Sequence, residues 1–378
     1  MVTFATANAN GTLTERLGIG LQNRVRRFES ARYLQKKIGP KGSIFFFWRY
    51  LDIPFCEKGA QKEPSPLCPF FCTFAEYLKS MTVKAVVRSM RLRTLPLSTA
   101  GIVLGIMLAC AGHHVPWYVI LLTVLTTVSL QILSNMSNEL GDWLSGVDGT
   151  GREGPKYGIA GGGLTEDDMR SCIRITVLVC CILGLGMIRA SFKTIFCIES
   201  ESLVVLGGLA IWAAMHYTLG KHPYGYMGLG DLFVFIFFGL VPVTGGYFVC
   251  AHQIDFWTLL PGTAIGLFSV GVLNVNNIRD MKSDAANRIT VPLKLGGKRA
   301  RIYHTILLLL GWILMTVFTV LQTTGWTPFL FVITLPLYIK HLIGVWKLDG
   351  KALDPMLPML VISTFIFSLL AGVGYILQ

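Results

Sequence analysis

An all-α, polytopic membrane protein is the fold class this sequence predicts, and three observations carry the expectation. Of 378 residues, 53% are hydrophobic and only 14% charged, with a mean hydropathy of +0.58. Apolar runs of roughly 20 residues, the length that crosses a bilayer, recur along most of the chain. Period-2 alternation is absent, and the runs are too long for strands.

Residues 1–82 read as a basic extension broken by Pro40, Pro54, Pro64, Pro66 and Pro69. Its apolar patch, Ile44 to Trp48, is too short to span a bilayer and has no signal-peptide cleavage pattern behind it. An alternative start of translation at Met81 would make 81–101 a basic, amphipathic lead-in to the first span. From 83 to 378 the chain reads as one transmembrane domain. Its spans fall at 95–112, 116–138, 171–190, 202–219, 231–251, 257–276, 302–321, 327–345 and 358–377. Thr165-Glu166-Asp167-Asp168 has the pattern of a capping box opening the third of them. Cys110, Cys172, Cys180, Cys181, Cys197 and Cys250 fall in or beside spans, where they act as small hydrophobes. Cys56, Cys68 and Cys72 lack a matching fourth ligand for zinc. His113, His114, His252, His304 and His341 show no ligand spacing and read as interfacial, while His216 lies at a span end beside Lys221.

The net charge of +12 reports topology rather than a nucleic-acid partner. Lys and Arg crowd the stretch before Thr94 and the loops at 139–170 and 277–301, with Lys221, Lys347 and Lys351 in shorter loops. Connections at 112–117, 252–257 and 322–327 carry none. By the positive-inside rule the amino terminus and both long loops are cytoplasmic.

Two acidic clusters interrupt the apolar pattern at span ends. Asn135, Asn138, Glu139 and Asp142 follow i, i+3, i+4, i+7 spacing and are expected to share one helical face, with Asp148 beyond. Asn277, Asp280 and Asp284 repeat it at i, i+3, i+7. A charge at the bilayer centre costs roughly 2.5–3.5 kcal/mol on insertion scales, so such groups are usually functional. Two converging carboxylate faces suit hard divalent cations, which take oxygen ligands. Around them stand Arg152, Lys156 and the turn Gly161-Gly162-Gly163, then Arg279, Lys282, Arg288 and Lys294. Carboxylates beside cations and a glycine-rich turn are what metal-bridged diphosphate recognition needs, and at a membrane face that means a lipid diphosphate. Solvated loops are the simpler alternative. An ion-coupled transporter is another class, but it needs charges deep within spans rather than at their ends.

The motifs themselves resemble a known family. Leu130-Gln131-Ile132-Leu133-Ser134-Asn135-x-x-Asn138-Glu139-x-Gly141-Asp142 is similar to the first motif of the UbiA superfamily of membrane prenyltransferases. The closest branch is that of menaquinone synthesis, which prenylates 1,4-dihydroxy-2-naphthoate. Tyr217-Thr218-Leu219-Gly220 through Pro223–Asp231, then Phe237-Phe238-Gly239, resembles that branch's middle signature. So do Leu273-Asn274-x-Asn276-Asn277-x-Arg279-Asp280-x-x-x-Asp284 and Arg91–Ser98, and four ordered motifs are far more specific than one.

The resemblance implies a bundle around a central cavity. It also implies magnesium-dependent transfer from polyprenyl diphosphate to 1,4-dihydroxy-2-naphthoate, with decarboxylation, giving demethylmenaquinone. Asn138, Glu139, Asp142, Asp280 and Asp284 would hold Mg2+, supported by Asn135, Asn277 and Asp148. Lys156, Lys221, Arg279 and Arg288 would stabilise the leaving diphosphate, and Tyr217 would position the cation or the diphosphate. Another aromatic acceptor is the rival within the class. Two positions depart from the family pattern: Glu139 stands where Asp is usual, and 285–290 replaces a Gly/Lys-containing turn.

Overall fold

The computed structural model describes residues 83–146, 157–285 and 288–378. The extension at 1–82 and the predicted site residues Asp148 and Lys156 lie outside the described residues. Within the described residues the chain is helical, with an isolated bridge between Met227 and Ile289 and no strand.

Helix α1 (Val83–Ser89) leads through a 3-10 turn at Leu92–Thr94 into α2 (Leu95–Gly112). Next come α3 (Trp117–Leu144), α4 (Glu166–Phe192) and α5 (Ile198–His216). α6 (Gly230–Phe235) continues through a π turn (Ile236–Leu240) into α7 (Val241–Ala251). The remaining helices are α8 (Leu259–Arg279), the single turn α9 (Met281–Asp284), α10 (Val291–Leu295), α11 (Gly297–Gln322), α12 (Leu335–Lys347) and α13 (Met356–Ile376). Among the described residues, 9 helical segments are long and apolar enough to cross a membrane, in agreement with the predicted spans.

Boundaries moved where polar residues prolong a helix instead of ending it. α3 runs six residues past the predicted span end, to Leu144, so Asn138 and Asp142 are helical as their spacing predicts. α4 begins at Glu166 because the capping box forms: Thr165 Oγ1 accepts from Asp168 N–H (3.1 Å), and Asp168 Oδ2 accepts from Thr165 N–H (2.9 Å). The π turn precedes Pro242, which has no N–H to offer the carbonyl one turn back, and a relaxed helix absorbs that loss.

α2 packs against α7 and α13, α3 against α4, and α8 against α11. Close approach of small residues drives such contacts in a membrane. A Cβ on Gly239 would lie 2.3 Å from Gly266 Cα, so this crossing needs both glycines. Away from the acidic ends, Phe268, Phe331, Tyr338 and Phe367 are fully buried in the core. His304 and His341 join them rather than lying at an interface as expected. Both are fully buried and share a hydrogen bond between their Nε2 atoms (2.9 Å).

Candidate active site

Segment 217–230 ties the carboxyl-terminal ends of α3 and α8 together. Gly141 admits it, because a Cβ there would lie 2.4 Å from Thr218 Oγ1 and 2.6 Å from its carbonyl oxygen. Thr218 Oγ1 donates to Ser137 O (3.0 Å) and to Asn138 Oδ1 (3.3 Å). The Tyr226 hydroxyl donates to Asp142 Oδ1 (2.8 Å), while its carbonyl accepts from Ile289 N–H (2.9 Å). Tyr226 therefore joins α3 to the turn that follows α9.

That turn carries the second cluster's cation. Arg288 Nη2 donates to Asp284 Oδ1 at 2.6 Å, with both side chains nearly closed to solvent. Burial alone would lower the pKa of the Arg288 guanidinium. The bond and charge of Asp284, followed by Asp142 and Tyr217, outweigh it and raise that pKa. Burial pushes the Tyr217 phenol up to about 12; Arg288 opposes this, while Asp142, Asp231 and Asp284 add to it. Tyr217 is thus a neutral hydrogen-bonding group near neutral pH. Tyr226 is raised for the same reason, burial first and the Asp142 charge second.

Two hollows meet at Tyr217. A small polar one is lined by Tyr217, Asp231, Asn277, Arg288 and Thr290. The larger has a volume of about 310 Å³ and is mostly apolar, with Ile102, Leu130, Leu203, Phe233 and Phe237 in its wall. Asn138, Gln131 and Tyr217 supply polar groups to it. A charged head and an apolar tail could occupy these two spaces while remaining one molecule.

The structure brings Asn138, Asp142, Tyr217, Asn277, Asp284 and Arg288 to this region, but it divides the rest of the predicted set. Asn135 and Glu139 bond to groups other than those that hold Asn138 and Asp142. Asn135 Nδ2 donates to Met90 O (2.8 Å) and Thr94 Oγ1 (2.9 Å), and its Oδ1 accepts from Gln131 Nε2 (3.0 Å). Glu139, fully buried, accepts the Ile159 N–H at 2.7 Å. The stripe is about 100° wide at 100° per residue, which is broad enough to touch two neighbours, and its two edges do so.

Asp280 and Arg279 are paired with each other. Arg279 Nε and Nη2 donate to the two Asp280 oxygens (2.8 and 2.6 Å), Nη2 also to Asn276 Oδ1 (2.9 Å), and Nη1 to Asp354 Oδ1 (2.9 Å). The expected ligand and the expected diphosphate cation thus occupy one another. Lys221 is exposed. The Gly161–Gly163 turn does not open its amides outward either. Gly161, Gly162 and Gly163 donate to Tyr157 O, Ile159 O and Gly158 O.

Sequence reasoning assigned no role to Tyr226, Thr218 or Asp231. Asp231 carried a usable signal, a carboxylate at the start of a span; its Oδ2 accepts from Tyr303 (3.0 Å). Tyr226 carried none, since its partner is 84 positions away.

Among the described residues, no three His, Cys, Asp or Glu side chains gather closely enough to hold a metal ion by themselves. Magnesium keeps several waters and takes one or two carboxylates plus substrate phosphates, not a protein cage. Asp142 and Asp284, with the amide oxygens of Asn138 and Asn277, are donors of the hard, oxygen-only kind it requires.

Comparison with known proteins gives the family. The profile of the UbiA prenyltransferase family matches residues 98–370. The chain belongs to the UbiA prenyltransferase family. It is 37% identical over 297 residues to the 1,4-dihydroxy-2-naphthoate octaprenyltransferase of Escherichia coli (strain K12), covering 78% of this chain and 96% of that one. To the enzyme of the same description from Haemophilus influenzae it is 36% identical over 291 residues, covering 76% and 94%. A UbiA homolog from Archaeoglobus fulgidus, solved bound to DMAPP and Mg2+, shares the fold with a TM-score of 0.53. It is 14% identical and covers 77% of this chain and 99% of that one. The UbiA assignment agrees with the four-motif resemblance and with the all-helical bundle around a cavity.

Proposed function

We propose that this chain transfers a polyprenyl group from a polyprenyl diphosphate to 1,4-dihydroxy-2-naphthoate. The observation that carries the reading is the junction at Tyr217, where a polar pocket with a buried arginine–carboxylate pair meets an apolar cavity. The named relatives, aligned over nearly their full length, select the acceptor.

In this reading the prenyl tail lies in the cavity and the diphosphate lies toward Asn138, Asp142, Asn277, Asp284 and Arg288. Asp142 and Asp284, with the two asparagine amides, would hold magnesium, which supplies charge neutralisation to the diphosphate. Arg288 would add a fixed positive charge toward the oxygens that become the leaving group. The carbon–oxygen bond breaks with its electron pair going to the diphosphate. Apolar walls keep water from the allylic cation that remains. The ring carbon bearing the carboxylate then attacks, and carbon dioxide leaves, restoring the aromatic ring without a proton acceptor. The product is demethylmenaquinone at the quinol level. Tyr217, held neutral at the junction, would orient the diphosphate or face the cation. Charge asymmetry in the loops supports a cytoplasmic site end and a cytoplasmic amino terminus.

The acceptor is tested by incubating the membrane-embedded chain with magnesium, a polyprenyl diphosphate and a panel of aromatic acids. A product whose mass is that of the prenylated naphthoquinol minus carbon dioxide is expected. Equal or better turnover of 4-hydroxybenzoate or homogentisate would move the chain to another acceptor.

A further inference from the structure

Glu139 is the one position of the first acidic cluster where this chain departs from the family pattern, and its surroundings are unlike those of Asp142. It is fully buried, and its Oε1 accepts the Ile159 N–H at 2.7 Å across 20 positions of sequence. Ile159 belongs to a tight knot of chain. Gly161, Gly162, Gly163 and Leu164 donate back to Tyr157, Ile159, Gly158 and Gly158 carbonyls in turn. The knot is pressed on α1: a Cβ on Gly163 would lie 2.6 Å from Ala85 Cβ, and one on Gly158 would lie 2.4 Å from Ser89 Oγ. At its near end Tyr157 holds two arginines. The Arg91 guanidinium lies 4.1 Å from the centre of the Tyr157 ring, and Arg93 Nη2 donates to its hydroxyl (2.5 Å).

While the Gly161, Gly162, Gly163 and Leu164 N–H groups turn inward, the Ile159 N–H reaches out to α3. We propose that Glu139 is a positioning residue that pins this loop, and through it Tyr157 with Arg91 and Arg93, rather than a member of the cation-holding set. The proposal rests on the prenyl-transfer reading only for its kinetic arm. Its chemistry is specific. A Gln at 139 keeps an acceptor oxygen at the same reach, whereas an Asp keeps the charge but is one methylene too short. The longer acid is then a requirement of the loop, not a variant of a ligand.

Hydrogen exchange and steady-state kinetics on the full purified chain in lipid nanodiscs separate the alternatives. For Glu139→Gln, slow amide exchange across 157–164 is expected to persist, with kcat/KM for the donor within about threefold of the parent. For Glu139→Asp, the buried Ile159 N–H loses its partner. Exchange in that segment should rise on the order of tenfold and the donor KM should rise by a similar factor. The reverse pattern, an inactive Gln variant with unchanged exchange beside an active Asp variant, would overturn the proposal and return Glu139 to the diphosphate site. A Glu139→Asp chain that does not fold leaves the Gln variant to decide. If the parent transfers no prenyl group at all, the functional reading fails, and amide exchange in the two variants still judges the pin.

Discussion

Asp142 is the carboxylate on which the site depends most. It is buried at the end of α3 and receives the Tyr226 hydroxyl. Asp142→Asn should lower prenyl transfer by about 10²–10³-fold, the cost of losing one preorganised electrostatic group, while the protein still inserts. Tyr226→Phe removes the hydroxyl that bonds both Asp142 and Ser145 and should cost about 10–100-fold, read as kcat and as magnesium affinity. At this scale the sequence was informative about residue type and less so about direction. Helical spacing placed Asn135, Asn138, Glu139 and Asp142 within one stripe. Which edge of the stripe meets the site depends on where Thr218 and Ile159 arrive, and both come from distant parts of the chain.

At the scale of elements, α8 ends in a buried ion network in which Asp280 is paired with Arg279. Arg279 bridges it to Asp354, which lies just before α13. Removing Asp280 leaves the Arg279 charge half-compensated in a dry setting, a loss of about 3–5 kcal/mol for a buried pair broken on one side. Asp280→Ala should therefore lower the thermal unfolding temperature markedly. Asp280→Asn should lower it less, because one acceptor remains. An Asp280→Asn chain that keeps its stability but loses magnesium-dependent donor binding would restore Asp280 to the ligand set. The spans were legible because an apolar run of bilayer length has few other uses. Their exact ends were not, since the polar partners of Asn138 and Asp142, Thr218 and Tyr226, come from a distant segment. The Arg279–Asp354 pair was equally hidden, joining residues 75 positions apart.

For the whole molecule, the cavity sets how a long prenyl chain is accommodated. Gly207 and Gly245 line it, and a Cβ at either would meet nothing within 4 Å. Phe at 207 or 245 should enter that space without displacing backbone and shift the preferred donor toward shorter prenyl chains, as read by competition between donors of different length. Gly105→Phe is the contrasting control, because a Cβ there would lie 2.2 Å from the Val243 carbonyl oxygen and should destabilise the bundle instead. Sequence motifs implied a cavity through family resemblance. Its lining was not legible, because residues from α2, α3, α5, α6 and α7 contribute to it and no local pattern announces which of their faces meet.

One binding measurement tests the central claim, that the α3 and α8 ends form a diphosphate site opening on the cavity. A hydrolysis-resistant prenyl thiolodiphosphate is titrated onto the purified chain with and without magnesium, alongside Asp142→Asn, Asp284→Asn and Arg288→Gln. Saturable, magnesium-dependent binding that each substitution weakens by at least tenfold is the predicted result. Undiminished binding in all three variants, or binding indifferent to magnesium, would contradict it.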